Sequence, residues 1–403
     1  MKQNIGFFSV KTEKATGRND TLMEQEREIY YDNSATTRVR QEVADCMLHM
    51  MCGSYGNPSS LHRKGFEAQQ RMEQARKQVA ASLGCDPSCI TFTSGGTEAD
   101  VLALVGGSEA MKRRGDHIVT TAIEHDAVLH TCRHLEEQGW KVTYLKPDKE
   151  GNITVEQVLE AVGEKTVLVS IMAVNNEVGS ILPVGEIAKA VRRKNPNCQI
   201  HTDCVQAWCK QPLKVGKNLD VDFLSVSGHK IYGPKGVGAL YVKKGAKIKP
   251  VLFGGGQEKD LRPGTENLPG ICGLGLAAEL LCGEMKENEA HVREIKNSLL
   301  ENLRKMPEVC IISGENATPY ILNISVPGIR SEIMLHYLEE KGIYLSSGSA
   351  CAKGGPSHVL SAMGIDRKQG DSALRLSFGR YNTVEEVPMF IEALQEAIKR
   401  LKR

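Results

Sequence analysis

Ser227-Gly228-His229-Lys230 follows directly on the largely apolar run 222–226. A lysine at a strand end, set among glycine, serine and histidine, stands where α/β sheets expose functional groups. Partial burial beside polar neighbours lowers an ammonium pKa, so such a lysine can shed its proton and attack a carbonyl. Ser227 and His229 can donate hydrogen bonds to a phosphate. A surface lysine in a turn would leave the same four residues, so the motif needs support from elsewhere. Asp203 supplies it, ending the run 199–202, with Gln206 three residues on. A carboxylate there can pair with a pyridine nitrogen and keep the ring protonated, and Gln206 can reach the ring's phenolic oxygen. That is the chemistry of pyridoxal phosphate, whose ring acts as an electron sink. A helix N-cap is the plainer role for an aspartate, and the two roles are compatible.

Other segments add to this. Thr93-Ser94-Gly95-Gly96-Thr97-Glu98 lies between a strand and a helix, where free amides, glycines and hydroxyls make an anion cradle. It lacks the lysine of a nucleotide-triphosphate loop, and a plain glycine turn with a capping hydroxyl is the simpler alternative. His125 follows the run 117–121 and can stack on a ring and move protons, although a lone histidine is more often structural. Asn175 and Asn176, after another strand, suit a carboxylate or a ring oxygen, or simply a turn. Ser346-Ser347-Gly348-Ser349-Ala350-Cys351-Ala352-Lys353-Gly354-Gly355-Pro356 sets a cysteine among small residues and a lysine, the accessible, locally positive surroundings of a reactive thiolate. Arg375 lies in a strand and can clamp a substrate carboxylate, or form a surface ion pair.

The elements that must position these residues alternate. Strands are expected at 89–92, 117–121, 142–145, 167–174, 199–202, 223–226 and 238–242. Helices are expected at 98–114, 127–138, 155–162 and 184–193. Several strands are apolar at successive positions, as for strands covered on both faces, and strand–helix alternation argues for an α/β fold with a mostly parallel sheet. From Gly254 the sequence turns to glycine- and proline-rich loop. Long helical patterns over about 271–305 follow, then a strand at 320–326, a helix at 331–341, a strand at 373–378, and a last helix from a Thr383-x-x-Glu386 capping box. The expected division is a flexible extension 1–27, a large domain 28–268 whose first residues can pack with the small one, and a smaller α+β domain 269–403. Met23 is a second candidate start.

At 403 residues the chain is long enough for two cores, since single cores stop growing at roughly 250–300 residues. A net charge of +2 gives no electrostatic reason for nucleic acid as a direct partner. No apolar run reaches the roughly 18 residues of a membrane helix, so no membrane partner is expected. The twelve cysteines are scattered and form no Cys-x-x-Cys. Cys85 and Cys89 have no matching second pair for zinc, and no metal is expected. The usage fits a reducing cytoplasm.

In order along the chain these segments resemble the group I cysteine desulfurases (NifS/IscS-like) of the class V aminotransferase family. The match runs from Tyr31-Asp32-Asn33-Ser34-Ala35-Thr36-Thr37 through Gly56-Asn57-Pro58-Ser59-Ser60, the 93–98 loop, His125, Asn176, Asp203-x-x-Gln206, Ser227 to Lys230 with Ile231-Tyr232-Gly233-Pro234, Gly254 to Gly256, Arg262, Thr265 and the Cys351 segment, as far as Arg380. The resemblance implies a fold-type I pyridoxal phosphate enzyme, working as a homodimer, that converts L-cysteine to L-alanine. The sulfur would pass to Cys351 as a persulfide, for an iron–sulfur scaffold or a tRNA-thiolation enzyme. It further implies that Lys230 carries the cofactor, Asp203 pairs with its ring nitrogen, His125 stacks on the ring and Gln206 contacts the ring oxygen. Gly96, Thr97, Ser227 and His229 would hold the phosphate, with Thr265 reaching it from the other subunit, while Asn176 and Arg375 would bind the substrate carboxylate.

The sequence departs from the family pattern at Val101, where asparagine is usual, and the stretch from Cys351 to Leu360 is slightly short, which leaves the acceptor open. Within enzymes the alternatives are a class V aminotransferase or a selenocysteine lyase. Outside them, a non-catalytic docking subunit would have no need of Lys230, Asp203, His125 and Cys351 together.

Overall fold

The protein is described by a computed structural model covering residues 28–347 and 357–402. The expected extension 1–27 and Cys351 lie outside the described residues.

Strands β1 (Ile29–Tyr30), β2 (Ile90–Thr93), β3 (His117–Thr121), β4 (Lys141–Leu145), β5 (Thr166–Ser170), β6 (Gln199–Asp203), β7 (Phe223–Ser227) and β8 (Gly238–Val242) come first along the chain. All but β1 form a seven-stranded sheet in the order β2-β8-β7-β6-β5-β3-β4. It is parallel except at β8, which runs antiparallel to both its neighbours. Every residue of β5, β6 and β7 is buried. Helices cover both faces of the sheet, so no side of a central strand meets water, and the polar residues these strands carry, such as His201 and Ser225, find partners inside. One face packs on the helices Arg63–Leu83 and Leu268–Gly283, through residues such as Val79, Leu83, Leu274 and Leu281. The other carries Leu102, Leu104, Val128 and Leu135.

The smaller unit has its own core, built from Val292, Leu299, Leu322, Leu376 and Phe390. Its sheet joins β9 (Cys310–Ile311), β10 (Ile321–Ser325), β12 (Ser346–Ser347) and β13 (Ala373–Ser377) in the order β12-β13-β10-β9, all antiparallel. Strand β1 pairs instead with β11 (Ile343–Tyr344), so the described chain begins in the small unit before entering the large one. Tyr31 belongs to the same core, edge-on to Phe378 with ring centroids 5.2 Å apart.

The structure differs from the sequence expectations at four places. The helical patterns expected over about 271–305 are the helices Leu268–Gly283 and Met285–Leu303, which start three residues earlier and are bent by 71° to one another. Gly283 weakens the helix there, and the Glu284 carboxylate is drawn to Arg40 at 2.8 Å and Arg380 at 2.6 Å. The first helix packs in the large core and the second in the small one, so we place the division between the units at this bend rather than at 268/269. The strand expected at 167–174 ends its ladder at Ser170, because Val174 bridges to Ile181 across the turn that carries Asn175 and Asn176. The helix expected at 98–114 starts earlier, at Gly96, and passes through a π-helical stretch, Leu102–Gly106, before ending at Met111. The last helix begins at Glu386 with no side-chain cap, so the capping box at Thr383 does not form; the buried Thr383 hydroxyl finds no partner among the described residues.

Candidate active site

The parallel strands direct their carboxyl ends to one side of the sheet, where a cavity of about 390 Å³ opens. Asp203 closes β6, Ser227 closes β7 with His229 and Lys230 in the turn beyond, and His125 follows β3. Asn176 lies in the turn after β5, and Gly96 and Thr97 start the helix after β2. Arg375 enters from β13 of the small unit. All of these line the cavity together with Gln206.

The Lys230 amine donates to the carbonyls of Ser34 (2.5 Å) and Ala35 (2.6 Å). Those carbonyls are held by Asn33, whose amide bonds to Tyr30, Ser377 and Asn382 and ties this segment to the small unit. Burial, followed by the cations Arg375 and Lys210, brings the Lys230 pKa down to about 7. At neutral pH a large share of this amine is therefore unprotonated, the state a nucleophilic lysine requires.

Asp203 accepts the Val205 amide at 2.8 Å. Its carboxyl is pushed up to about 7, first by burial and then by Asp100, with His125 opposing. Asp100 is itself raised to about 7 by burial. Between them His201 is locked by the Ser170 and Ser225 hydroxyls (2.8 and 3.0 Å), and burial lowers its pKa to about 4, so it is a neutral ring at physiological pH. Two buried carboxyls thus share one region, and among the described residues no lysine or arginine forms a salt bridge to either, His125 and Lys230 acting on Asp203 only at longer range. A protonated ring nitrogen opposite Asp203 would relieve that penalty.

Orphaned polar atoms point the same way. Gln206 uses its amide nitrogen on the Ser34 carbonyl (2.9 Å), leaving its buried oxygen without a partner among the described residues. The Asn176 side-chain oxygen and Arg375 Nε are buried and unpartnered in the same sense. Buried polar groups normally find partners, so unmet ones around a cavity mark where a ligand completes the set. The cavity accordingly fits pyridoxal phosphate with an amino-acid substrate.

The cradle is tight. A Cβ on Gly96 would stand 2.8 Å from Val205 Cγ2, so only glycine lets the helix start approach the turn after β6. Glu98 accepts the Ser94 amide at 2.6 Å and pairs with Arg262 at 2.8 Å, which fixes the loop. His229 is lowered to about 4 by burial and then by Lys230, so it offers a neutral N–H rather than a charge. His125 caps the helix Asp126–Glu137, its Nδ1 accepting the Ala127 amide at 3.1 Å, which puts the proton of the neutral ring on Nε2. Thr265 does not join these residues; it is exposed and outside the cavity.

Several contributors were not singled out from the sequence. Ser34 and Ala35 act through backbone carbonyls, which no side-chain type signals. Asp32 was part of a motif but had no assigned task; it accepts from Arg375 (3.1 Å) and from the Ser346 hydroxyl (2.8 Å). Glu177 accepts the Ser357 hydroxyl at 2.5 Å, and Ser357 in turn caps the helix His358–Ala362. Both flanks of the Cys351 segment are thereby tied to residues beside the cavity. The run of small residues around Cys351 was the available signal that its ends need anchoring.

Among the described residues no group of three or more potential ligands is arranged for a metal, and no single helix is long and apolar enough to cross a membrane. Comparison with known proteins gives a consistent result. The sequence matches the class-V aminotransferase family over residues 29–390. It is 43% identical over 387 residues to a cysteine desulfurase IscS of Methanosarcina thermophila, covering 95% of each chain. It is 44% identical over 378 residues to a putative cysteine desulfurase IscS 1 of Bacillus subtilis, covering 93% of this chain and 99% of that one. A solved NifS-like protein superposes with a TM-score of 0.88 at 41% identity, over 93% of this chain and all (100%) of the other.

Proposed function

The chain belongs to the class-V aminotransferase family and is a pyridoxal phosphate-dependent cysteine desulfurase, and on that premise we propose that Lys230, Asp203, Arg375 and Cys351 carry the reaction in the cavity at the strand ends. The observation that supports this most is convergence. A lysine whose pKa is brought down to about 7, a buried carboxyl with no lysine or arginine salt-bridged to it among the described residues, and an arginine with an unpartnered Nε share one cavity, although they come from separate elements.

Bound pyridoxal phosphate supplies an electron sink for negative charge at the substrate α-carbon. Asp203 would hold the ring nitrogen protonated, and His125 would cover the ring. Gln206 contacts the ring oxygen through its free carbonyl side, which requires the proton to lie on the ring oxygen or an ordered donor to bridge the two. Gly96, Thr97, Ser227 and His229 hold the phosphate by backbone and hydroxyl donors at a helix start. Arg375 and Asn176 orient L-cysteine by its carboxylate. The Lys230 amine, once displaced, takes the α-proton and later returns a proton to the product. Cys351 as thiolate attacks the substrate sulfur: the new S–S bond forms as the carbon–sulfur bond breaks, and the electron pair leaves with the carbon skeleton, released as L-alanine. The persulfide on Cys351 then passes its outer sulfur to an acceptor protein, an iron–sulfur scaffold or a tRNA-thiolation enzyme.

The working unit we propose is a homodimer in a reducing cytoplasm. Leu48, Met51, Tyr55, Leu61 and Phe66 are exposed in and between the first two helices, and Phe253 is 87% exposed; such apolar groups favour a covered face. Thr265, exposed and away from its own cavity, is suited to complete the partner's phosphate site. The described cysteines are all free thiols, in keeping with a reducing compartment.

Mass spectrometry after incubation with L-cysteine tests the assignment. One extra sulfur is expected on Cys351, while Cys351→Ser keeps the cofactor absorbance and forms no persulfide. A Cys351→Ser variant that still releases sulfide from L-cysteine at the wild-type rate would overturn it.

A further inference from the structure

Cys209 and Cys282 are 73 residues apart in sequence, yet their sulfurs approach to 2.9 Å. That is inside the usual separation of non-bonded sulfur atoms, and a formed disulfide needs a further closure to about 2 Å. Cys209 lies in the turn that leaves β6 and carries Gln206. Cys282 lies in the last turn of the helix Leu268–Gly283, beside the bend to the small unit. Cys209 is buried, its sulfur also within 3.8 Å of the Ala278 carbonyl, whereas Cys282 is half-buried.

The backbone around Cys209 is fixed. The residue holds a left-handed conformation (φ 57°), uncommon for anything but glycine or asparagine and maintained where the surroundings enforce it. On one side Trp208 donates its ring N–H to Ser82 at 2.9 Å. On the other, the buried Lys210 amine lies 5.4 Å over the Tyr320 ring. The Cys209 side chain is therefore directed at the helix, and the two thiols need little rearrangement to bond. Burial, then Cys282, pushes the Cys209 thiol well above its ordinary value, against Lys214 and Lys210. The contact with Cys209, helped by Lys214, instead brings Cys282 below its own, which makes Cys282 the thiolate of the pair.

We propose that Cys209 and Cys282 are a disulfide-forming pair, separate from Cys351, that takes a peroxide oxidant and fastens the Gln206-bearing turn to the helix Leu268–Gly283. The half-exposed Cys282 thiolate attacks hydrogen peroxide, gaining an oxygen as sulfenic acid and releasing hydroxide, which is neutralised by the proton the thiol gave up. The Cys209 sulfur then displaces water from that sulfenic acid, forming the S–S bond. In sum two thiols lose two electrons and two protons, and one peroxide becomes two waters. In a reducing compartment the pair remains as two thiols, as in this structure; the bridge is the response to oxidant.

Peptide mapping of holoenzyme treated with a small excess of hydrogen peroxide tests this. After denaturation and alkylation, digestion without reductant is expected to yield a peptide joining Cys209 to Cys282. It should be lighter than the sum of its parts by two hydrogens and be split by dithiothreitol. The same peptide is expected from Cys351→Ser holoenzyme, which removes the loop thiol as a competing partner. Cys282→Ser should leave Cys209 fully alkylated. Because the bridge constrains a long span of the unfolded chain, the oxidised wild type should gain about 4 °C or more in Tm, reversed by reductant and absent in Cys282→Ser. Cys282 recovered as sulfinic acid beside an alkylated Cys209 would overturn the pairing, and an unmoved Tm at full cross-linking would overturn the fastening.

Discussion

Arg375 and Asp32 form an ion pair at 3.1 Å beside the cavity, and the same Asp32 oxygen accepts the Ser346 hydroxyl at 2.8 Å. The second guanidinium arm donates to the Asn176 carbonyl at 3.1 Å. The side chain is 95% out of water, its exposure being 5%, so its planar fork is aimed before any substrate arrives. Asp32 thus offers this arginine a carboxylate of the same kind that an amino acid brings. Arg375→Lys keeps the charge and loses the fork. We expect KM for L-cysteine to rise roughly 10- to 100-fold, the worth of a charge-assisted hydrogen bond, with the cofactor absorbance unchanged. Steady-state kinetics beside an absorbance spectrum checks it; a KM unaltered by Arg375→Lys would remove Arg375 from substrate binding.

Lys230 gives a pH dependence whose sign is fixed by its burial. With its pKa brought down to about 7, the amine is protonated and inert below that value and free to attack above it. Covalent uptake of pyridoxal phosphate by apoprotein should therefore accelerate as pH rises through about 7 and level off beyond it. An unperturbed lysine would still be accelerating past pH 10, near its ordinary pKa of roughly 10.4. Borohydride trapping at a series of pH values, with mapping of the labelled peptide, measures this. Lys230→Ala should give no trapped peptide at any pH.

Asp203→Asn tests the ring-nitrogen partner. The carboxyl is penalised by burial and by Asp100, and no lysine or arginine salt-bridges to it among the described residues, so an amide is easily accommodated by the fold. What is lost is the charge that holds the ring protonated. We expect kcat to fall by about 100- to 1,000-fold, as when one preorganised electrostatic partner is removed, with the phosphate still bound through the cradle. A variant retaining wild-type kcat would show that the carboxylate has no part in the chemistry.

Much of this site was legible because its chemistry restricts residue types to places that sequence can locate. Lys230, Asp203 and His125 each stand at or just beyond the end of a strand that the alternation of elements locates, and parallel strands bring their carboxyl ends together. What stayed hidden depends on partners far apart in the chain. Asp32 meets Arg375 across 343 residues, and Lys230 meets the Ser34 carbonyl across 196. Asp100 is not singled out by its sequence, since nothing local says it is buried beside His201. Element ends were lost where a tertiary contact overrode a local signal. The break at Gly283 is set by Glu284 reaching two arginines, and the final helix starts at Glu386 with neither Thr383 nor Glu385 capping it by a side chain.

Glu124 should make the protein less stable as pH rises, and removing its charge should reverse that. One carboxyl oxygen accepts the Thr121 hydroxyl at 2.8 Å and the Met172 amide at 3.0 Å; the other is buried with no partner among the described residues. Burial pushes its pKa up to about 8, well above the ordinary carboxylate value. The folded state then holds a proton that the unfolded chain has already released. Its contribution to stability is fully present below the unfolded pKa of roughly 4.3 and is lost as pH climbs through the folded value. Glu124→Gln cannot titrate, and its side-chain oxygen can still accept from Thr121 and Met172. We expect the variant to come nearest the wild type at about pH 4 and to gain on it as pH rises, by on the order of 4 to 5 kcal/mol at pH 8.5 to 9. Denaturant unfolding at those two pH values checks it. Equal stability at high pH would mean that the carboxylate ionises in the folded state without cost, and that its free oxygen reaches water.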